Sequence, residues 1–116
     1  MMRRGDIFLA DLEPVRGPEA NKQRPVVVVS NDGSNEVVDR MGAGMVTVVP
    51  LTGNVARVLS FQVALPREQT GLDQDSKAQP EQIRAISATR LIRKIGWVPL
   101  SYMEQINQGL RLHLDL

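Results

Sequence analysis

Pro25-Val26-Val27-Val28-Val29 is an unbroken β-branched run, and its reading decides the fold. A strand sends successive side chains to opposite faces, so four consecutive valines make both faces apolar. Such a strand is expected at the buried centre of a sheet. Pro25 stands at its first position, where the missing N–H removes no ladder bond. Upstream, Ile7 to Leu12 reads as a first strand. Between the two lies Glu13 to Gln23, a polar segment of eleven residues with two prolines and a glycine. That is long for a hairpin connection, and long loops on small domains often carry function.

Downstream, Ser30-Asn31-Asp32-Gly33-Ser34-Asn35 is turn chemistry, and a short helical stretch through Arg40 is expected after it. Met45 to Leu51 is a further strand, ended by Thr52-Gly53-Asn54. Phe61 to Leu65 alternates in the period of a half-buried strand. Arg67 to Asp73 reads as a loop. Ser76 to Ser87 reads as extended and broken by Pro80, with Ile83 and Ala85 on one side and Arg84 and Ile86 on the other. Ala88 to Ile92 suits one helical turn, and Lys94 to Val98 a last strand. The C-terminus predicts an amphipathic helix. Ser101 and Glu104 have capping-box spacing, and Met103, Ile106, Leu110 and Leu114 recur at helical intervals. Short strands plus one terminal helix predict a mainly β fold, a small bent sheet or barrel. The pattern leaves an SH3-like barrel and an OB-fold both open.

At 116 residues the chain is expected to form one domain spanning 1–116, and 42% hydrophobic content suffices for a core. It has no cysteine, which excludes disulfides, thiolate chemistry and Cys-type metal sites. No apolar run approaches the roughly 20 residues that span a bilayer. Asp6 and Asp11 interrupt any leader-like stretch. A soluble, unexported, cytoplasmic protein with no membrane association is the expectation. Net charge is only +1, so bulk charge does not announce a nucleic-acid binder. The cations are mostly arginine, which suits bidentate phosphate contacts, although a GC-rich genome would produce the same bias.

Conventional sites are missing from the sequence. His113 is the one histidine, and no cluster has metal-ligand spacing, so neither a metal nor a cofactor is expected. No glycine-rich stretch matches a phosphate loop. The aromatics Phe8, Phe61, Trp97 and Tyr102 are few and fall on structural elements, which disfavours base stacking on an aromatic sheet. Arginine, hydroxyl and carboxylate groups near loops remain. Arg24 sits where the long loop meets the valine strand, a rigid position suited to a site. Thr52 ends another strand, and Glu19 lies in the loop. Taken singly, each also reads as ordinary surface: a rim ion pair, a turn residue, a solvated acid.

In sequence order the motifs resemble the MazF/PemK toxins of type II toxin–antitoxin systems. The blocks are Arg4-Gly5-Asp6-Ile7-Phe8 with Asp11-Leu12, Gly17-Pro18-Glu19, Arg24-Pro25-Val26-Val27-Val28 with Ser30-Asn31-Asp32, Pro50-Leu51-Thr52, and Asp75-Ser76 with Glu81-Gln82-Ile83-Arg84 and Arg90-Leu91. Five blocks in order across nearly the whole chain are far more specific than any one. The resemblance implies an SH3-like, CcdB/MazF-type small barrel with a C-terminal helix, working as a homodimer with RNA in a groove across the interface. It implies an endoribonuclease cutting single-stranded RNA at short motifs in messenger RNA, with transfer or ribosomal RNA as further substrates, and an antitoxin peptide covering the same groove. By position, Arg24 and Thr52 would be catalytic. Glu19, Asn21, Lys22, Gln23, Arg57, Asp75, Gln82 and Arg84 would contact RNA. The loop sequence Pro18, Ala20, Asn21, Lys22, Gln23 is this chain's own version, so cleavage-site specificity does not transfer. A CcdB-like gyrase poison and a non-catalytic RNA-binding barrel are the competing classes; neither requires the Arg24 and Thr52 pair.

Overall fold

A computed structural model of the chain describes residues 1–12 and 23–116. In chain order the elements are β1 (Asp6–Asp11), β2 (Gln23–Val28), α1 (Asp32–Met41), β3 (Met45–Thr52), β4 (Val63–Leu65), α2 (Arg67–Thr70), β5 (Ser76–Ala78), β6 (Arg84–Ser87), β7 (Leu91–Trp97) and α3 (Leu100–Leu114). Single 3₁₀ turns stand at Pro80–Gln82 and Ala88–Arg90. The strands lie in the order β4-β5-β3-β2-β1-β7, antiparallel throughout. Along β3, residues Met45 to Val48 pair with β6, while Leu51 and Thr52 pair with β5. Changing partner partway along β3 curls the sheet into a half-barrel of antiparallel strands with a C-terminal helix, the architecture expected of the SH3-like class.

The valine run does what its composition requires. Val27 and Val29 join Ile7, Val49, Leu51, Met103, Ile106 and Leu110 in a core beneath α3. Val26 and Val28 join Ala10, Val46, Val48, Ile86 and Val38 of α1 in a second core on the opposite face. Burying each valine contributes about 1.5–3 kcal/mol, and a helix covers each side. Arg84 pairs with Val48 and Ile86 with Val46, so the expected alternation in that stretch holds.

Several of the sequence blocks are structural. Asn31 caps α1 by accepting from Ser34 N at 2.8 Å. Fully buried Asn35 accepts from Ser30 Oγ at 2.6 Å and donates to Ser30 O at 2.9 Å, tying α1 to the end of β2. Arg4 donates from Nε to Val29 O at 2.8 Å and from Nη2 to Asn107 Oδ1 at 2.7 Å, stitching the sheet to α3. Asp6 is buried, accepts from Arg3 N at 2.9 Å and pairs with Lys94 at 3.2 Å.

Some local expectations fail for identifiable reasons. The stretch read as a loop at Arg67 contains the one-turn α2, held by Asp75 Oδ1, which accepts from Arg67 N at 3.0 Å, and by Thr70 Oγ1, which donates to Pro66 O at 3.1 Å. The terminal helix starts at Leu100 on Pro99, whose carbonyl takes the Tyr102 and Met103 N–H groups. Ser101 is therefore inside the first turn, and no capping box forms. The buried face is Met103, Ile106, Gly109 and Leu110, while Leu114 is exposed because α3 has run past the core. At Gly109 a Cβ would lie 2.6 Å from Phe61 O, so glycine sets how closely α3 approaches the sheet.

Candidate functional site

The β2–β3 ladder pairs Val28 with Val48, Val27 with Val49 and Val26 with Pro50, and ends there. Carrying that register two residues further sets Arg24 across from Thr52, at the level where β3 has exchanged β6 for β5 along its other edge. The two-residue pleat gives both residues one face. Arg24 shares its side of the sheet with Val26 and Val28, and Thr52 shares its side with Val48 and Pro50. Arg24 is exposed and its backbone is opposite Ala10 of β1; Thr52 is half-buried. A cation and a hydroxyl thus stand on one face of neighbouring strands, beyond the apolar stretch of that face.

Thr52 Oγ1 accepts from Asn54 N at 3.2 Å. With a lone pair so used, the hydroxyl proton points elsewhere and remains available as a donor. Gln74 presses over the next residue, where a Cβ on Gly53 would meet Gln74 Nε2 at 2.5 Å. The Gly53 turn and the Gly71–Asp75 loop are therefore in contact. On the other side of the sheet, Leu9, Pro25, Leu72, Asp73, Gln74 and Arg93 line an open cleft of about 390 Å³.

The remaining predicted residues fall into three groups. Arg84 stands on β6 opposite Val48, exposed, on the same face as Arg24 and Thr52. Gln82 is exposed on the 3₁₀ turn leading into β6, and Gln23 is exposed at the start of β2 opposite Asp11. Arg57 is exposed in the loop after β3. Asp75 is engaged at α2 through Oδ1, with Oδ2 free of that bond. Glu19, Asn21 and Lys22 lie outside the described residues. Among the described residues, no carboxylate stands within 4.0 Å of Arg24, Arg57 or Arg84, and no group of three His, Cys, Asp or Glu side chains gathers as metal ligands would. Among the described residues, no helix is long and apolar enough to cross a membrane. Trp97 lies on a strand, as the sequence reading placed it, and is 63% exposed at the end of edge strand β7.

Sequence reasoning passed over Lys77. It pairs with Thr52 from β5, so it belongs to the same face, yet it is buried and donates from Nζ to Arg57 O. A three-residue strand has too little pattern to reveal this. Gln74 carried no signal either.

Comparison with known proteins bears on what this arrangement serves. The family described as PemK-like, MazF-like toxin of type II toxin–antitoxin system matches residues 3–114. Endoribonuclease MazF9 of Mycobacterium tuberculosis is 55% identical over 116 residues, covering 100% of this chain and 98% of the relative. The solved structure of Mycobacterium tuberculosis toxin MazF-mt6 aligns with a TM-score of 0.74 at 27% identity, covering 96% of this chain and 97% of the other. An endoribonuclease in complex with its cognate antitoxin, from a mycobacterial species, has the same fold, with a TM-score of 0.76 at 23% identity over 100% of this chain and 97% of the other.

Proposed function

The chain belongs to the PemK-like, MazF-like toxins of type II toxin–antitoxin systems, and from that membership we propose an endoribonuclease that cuts single-stranded RNA with the RNA's own 2′-hydroxyl as nucleophile. The observation that carries the reading is the alignment of Arg24 with Thr52 on one face at the end of the β2–β3 ladder.

The 2′-oxygen attacks phosphorus and loses its proton. A bond forms from O2′ to phosphorus, and the bond to O5′ breaks. Charge builds on the non-bridging oxygens. Arg24 donates two N–H bonds to them in a fork, and Thr52 adds a hydroxyl donor. A guanidinium holds its proton, so an arginine is a poor base but serves as acid to the departing O5′. Glu19 and Asp75 are the candidate acceptors for the 2′-OH proton. The products are a 2′,3′-cyclic phosphate and a 5′-OH, and DNA, lacking the nucleophile, is not cut. Guanidinium and hydroxyl donors supply the charge stabilisation that a divalent metal would otherwise provide. Gln23, Arg57, Gln82 and Arg84, with Glu19, Asn21 and Lys22, are assigned to RNA contacts.

The working unit proposed is a cytoplasmic homodimer, its RNA groove shared between subunits and covered by an extended acidic segment of the antitoxin. Disordered acidic segments that fold on binding suit such grooves. The test is cleavage of a long single-stranded RNA with mapping of both new ends, with and without EDTA. Cyclic phosphate and 5′-OH ends that persist under chelation support the chemistry. Loss of cleavage on chelation, restored by Mg²⁺ or Mn²⁺, refutes it. Light scattering at micromolar concentration reports twice the chain mass for a dimer; a fully active monomer refutes that assignment.

A further inference from the structure

We propose that Lys77 is a positioning residue for RNA cleavage: its ammonium grips the Arg57 carbonyl and so fixes where the Arg57 side chain stands relative to Thr52. The inference rests on the Arg24 and Thr52 reading. Lys77 is only 9% exposed. Desolvating an ammonium is costly, and its described partner is a single main-chain carbonyl, Arg57 O. An apolar side chain of the same length would fill that space without the cost. Stability therefore gives no reason for a charge here.

Geometry gives one. Lys77 is paired with Thr52, so its anchor lies one strand from the Thr52 hydroxyl. The stretch from Val55 to Val58 is exposed and belongs to no regular element. Among the described residues its polar bonds are two: Ala56 N to Asn54 Oδ1, which is local at 3.4 Å, and the Lys77 bond, which spans twenty positions. The flanking residues are pinned separately, Asn54 N to Thr52 Oγ1 and Leu59 N to Gln62 Oε1. Lys77 is thus the long-range tether of the segment that carries Arg57. Releasing it lets the guanidinium sample many positions, and a contact to phosphate is lost through disorder rather than deletion.

The experiment uses full-length Lys77→Met and Lys77→Arg on a single-stranded RNA oligonucleotide containing a mapped cut site. In Lys77→Met, the backbone NMR order parameters at Val55 to Val58 are expected to fall with the urea midpoint unchanged, and the single-turnover rate at saturating RNA to fall about tenfold. Lys77→Arg, which still reaches the carbonyl, restores most of both. In an Arg57→Ala background, Lys77→Met adds less than about twofold, because the two act as a unit. Parent-like order parameters and cleavage overturn the proposal. So does a full additive loss in the Arg57→Ala background, or weakened RNA binding with a shallower salt dependence and unchanged order parameters, which marks direct phosphate contact. If Lys77→Met does not fold, Lys77→Gln carries the same measurements. Arg24→Lys runs alongside: its inactivity beside a parent-like Lys77→Met refutes this inference alone, whereas its full activity refutes the catalytic reading beneath it.

Discussion

Arg24→Lys separates a catalytic guanidinium from a rim charge. Arg24 is exposed on β2, its backbone is held opposite Ala10, and among the described residues no carboxylate stands within 4.0 Å of it. Lysine keeps the charge, and an exposed strand position of this kind tolerates substitution within about 0.5 kcal/mol. Fold, urea midpoint and oligomeric state are therefore expected to be unchanged. What lysine loses is the planar fork, which addresses two phosphate oxygens at once. Removing one preorganised donor from a developing oxyanion costs about 2.7–4 kcal/mol, or 10²–10³ in rate. The strand placement matters to that figure, because β2 fixes the Arg24 backbone before RNA arrives. The assay is single-turnover cleavage of an end-labelled RNA, with affinity measured separately by anisotropy. RNA affinity should weaken only modestly. A variant that cleaves within tenfold of the parent refutes the assignment, and a uniform loss of affinity with normal turnover reduces Arg24 to a binding contact.

Thr52→Val removes a donor at nearly constant volume and should slow cleavage by about tenfold, less than Arg24→Lys, the net worth of one neutral hydrogen bond; a parent-like single-turnover rate dismisses the hydroxyl. Asn35→Ala leaves Ser30 Oγ and Ser30 O without the partners they have at 2.6 and 2.9 Å, and should destabilise by about 2–3 kcal/mol, read as a lower urea midpoint at constant slope. The Arg4 N–H donated to Asp32 holds its carboxyl below the ordinary value of 3.8, aided by Asn35, Arg3 and Arg4, while partial desolvation opposes the shift. The unfolded chain then binds the proton first, so the stabilisation is complete above that ordinary value and is lost as pH falls through the folded one. Urea titrations from about pH 6 to about pH 3 should show a shallower decline for Asp32→Asn than for the parent; parallel curves would exclude the linkage.

Short-range pattern was enough for much of this molecule. Four valines in a row require a strand with two apolar faces, whatever covers it, and the chain supplies α3 for Val27 and Val29 and α1 for Val26 and Val28. Asn31 caps the helix that follows because its side chain meets an N–H three residues away, a contact within the reach of local chemistry. The ordered blocks from Arg4 to Arg90 named the family, and Arg24 and Thr52 with it. Tertiary structure decided the rest. SH3-like and OB architectures share the same strand pattern and differ in which strands pair, and here the assembled sheet has the fold of solved MazF toxins. Arg24 and Thr52 are 28 positions apart, and their alignment is set by the pairing register of Val26 to Val28. That register follows from the combined packing of two cores, which no window of sequence contains. The one-turn α2 depends on a carboxylate eight residues on, and the burial of Lys77 on a loop twenty residues back. Alternation and capping are local energies, legible from neighbours; register, burial of a charge and the meeting of two loops are sums over the whole chain.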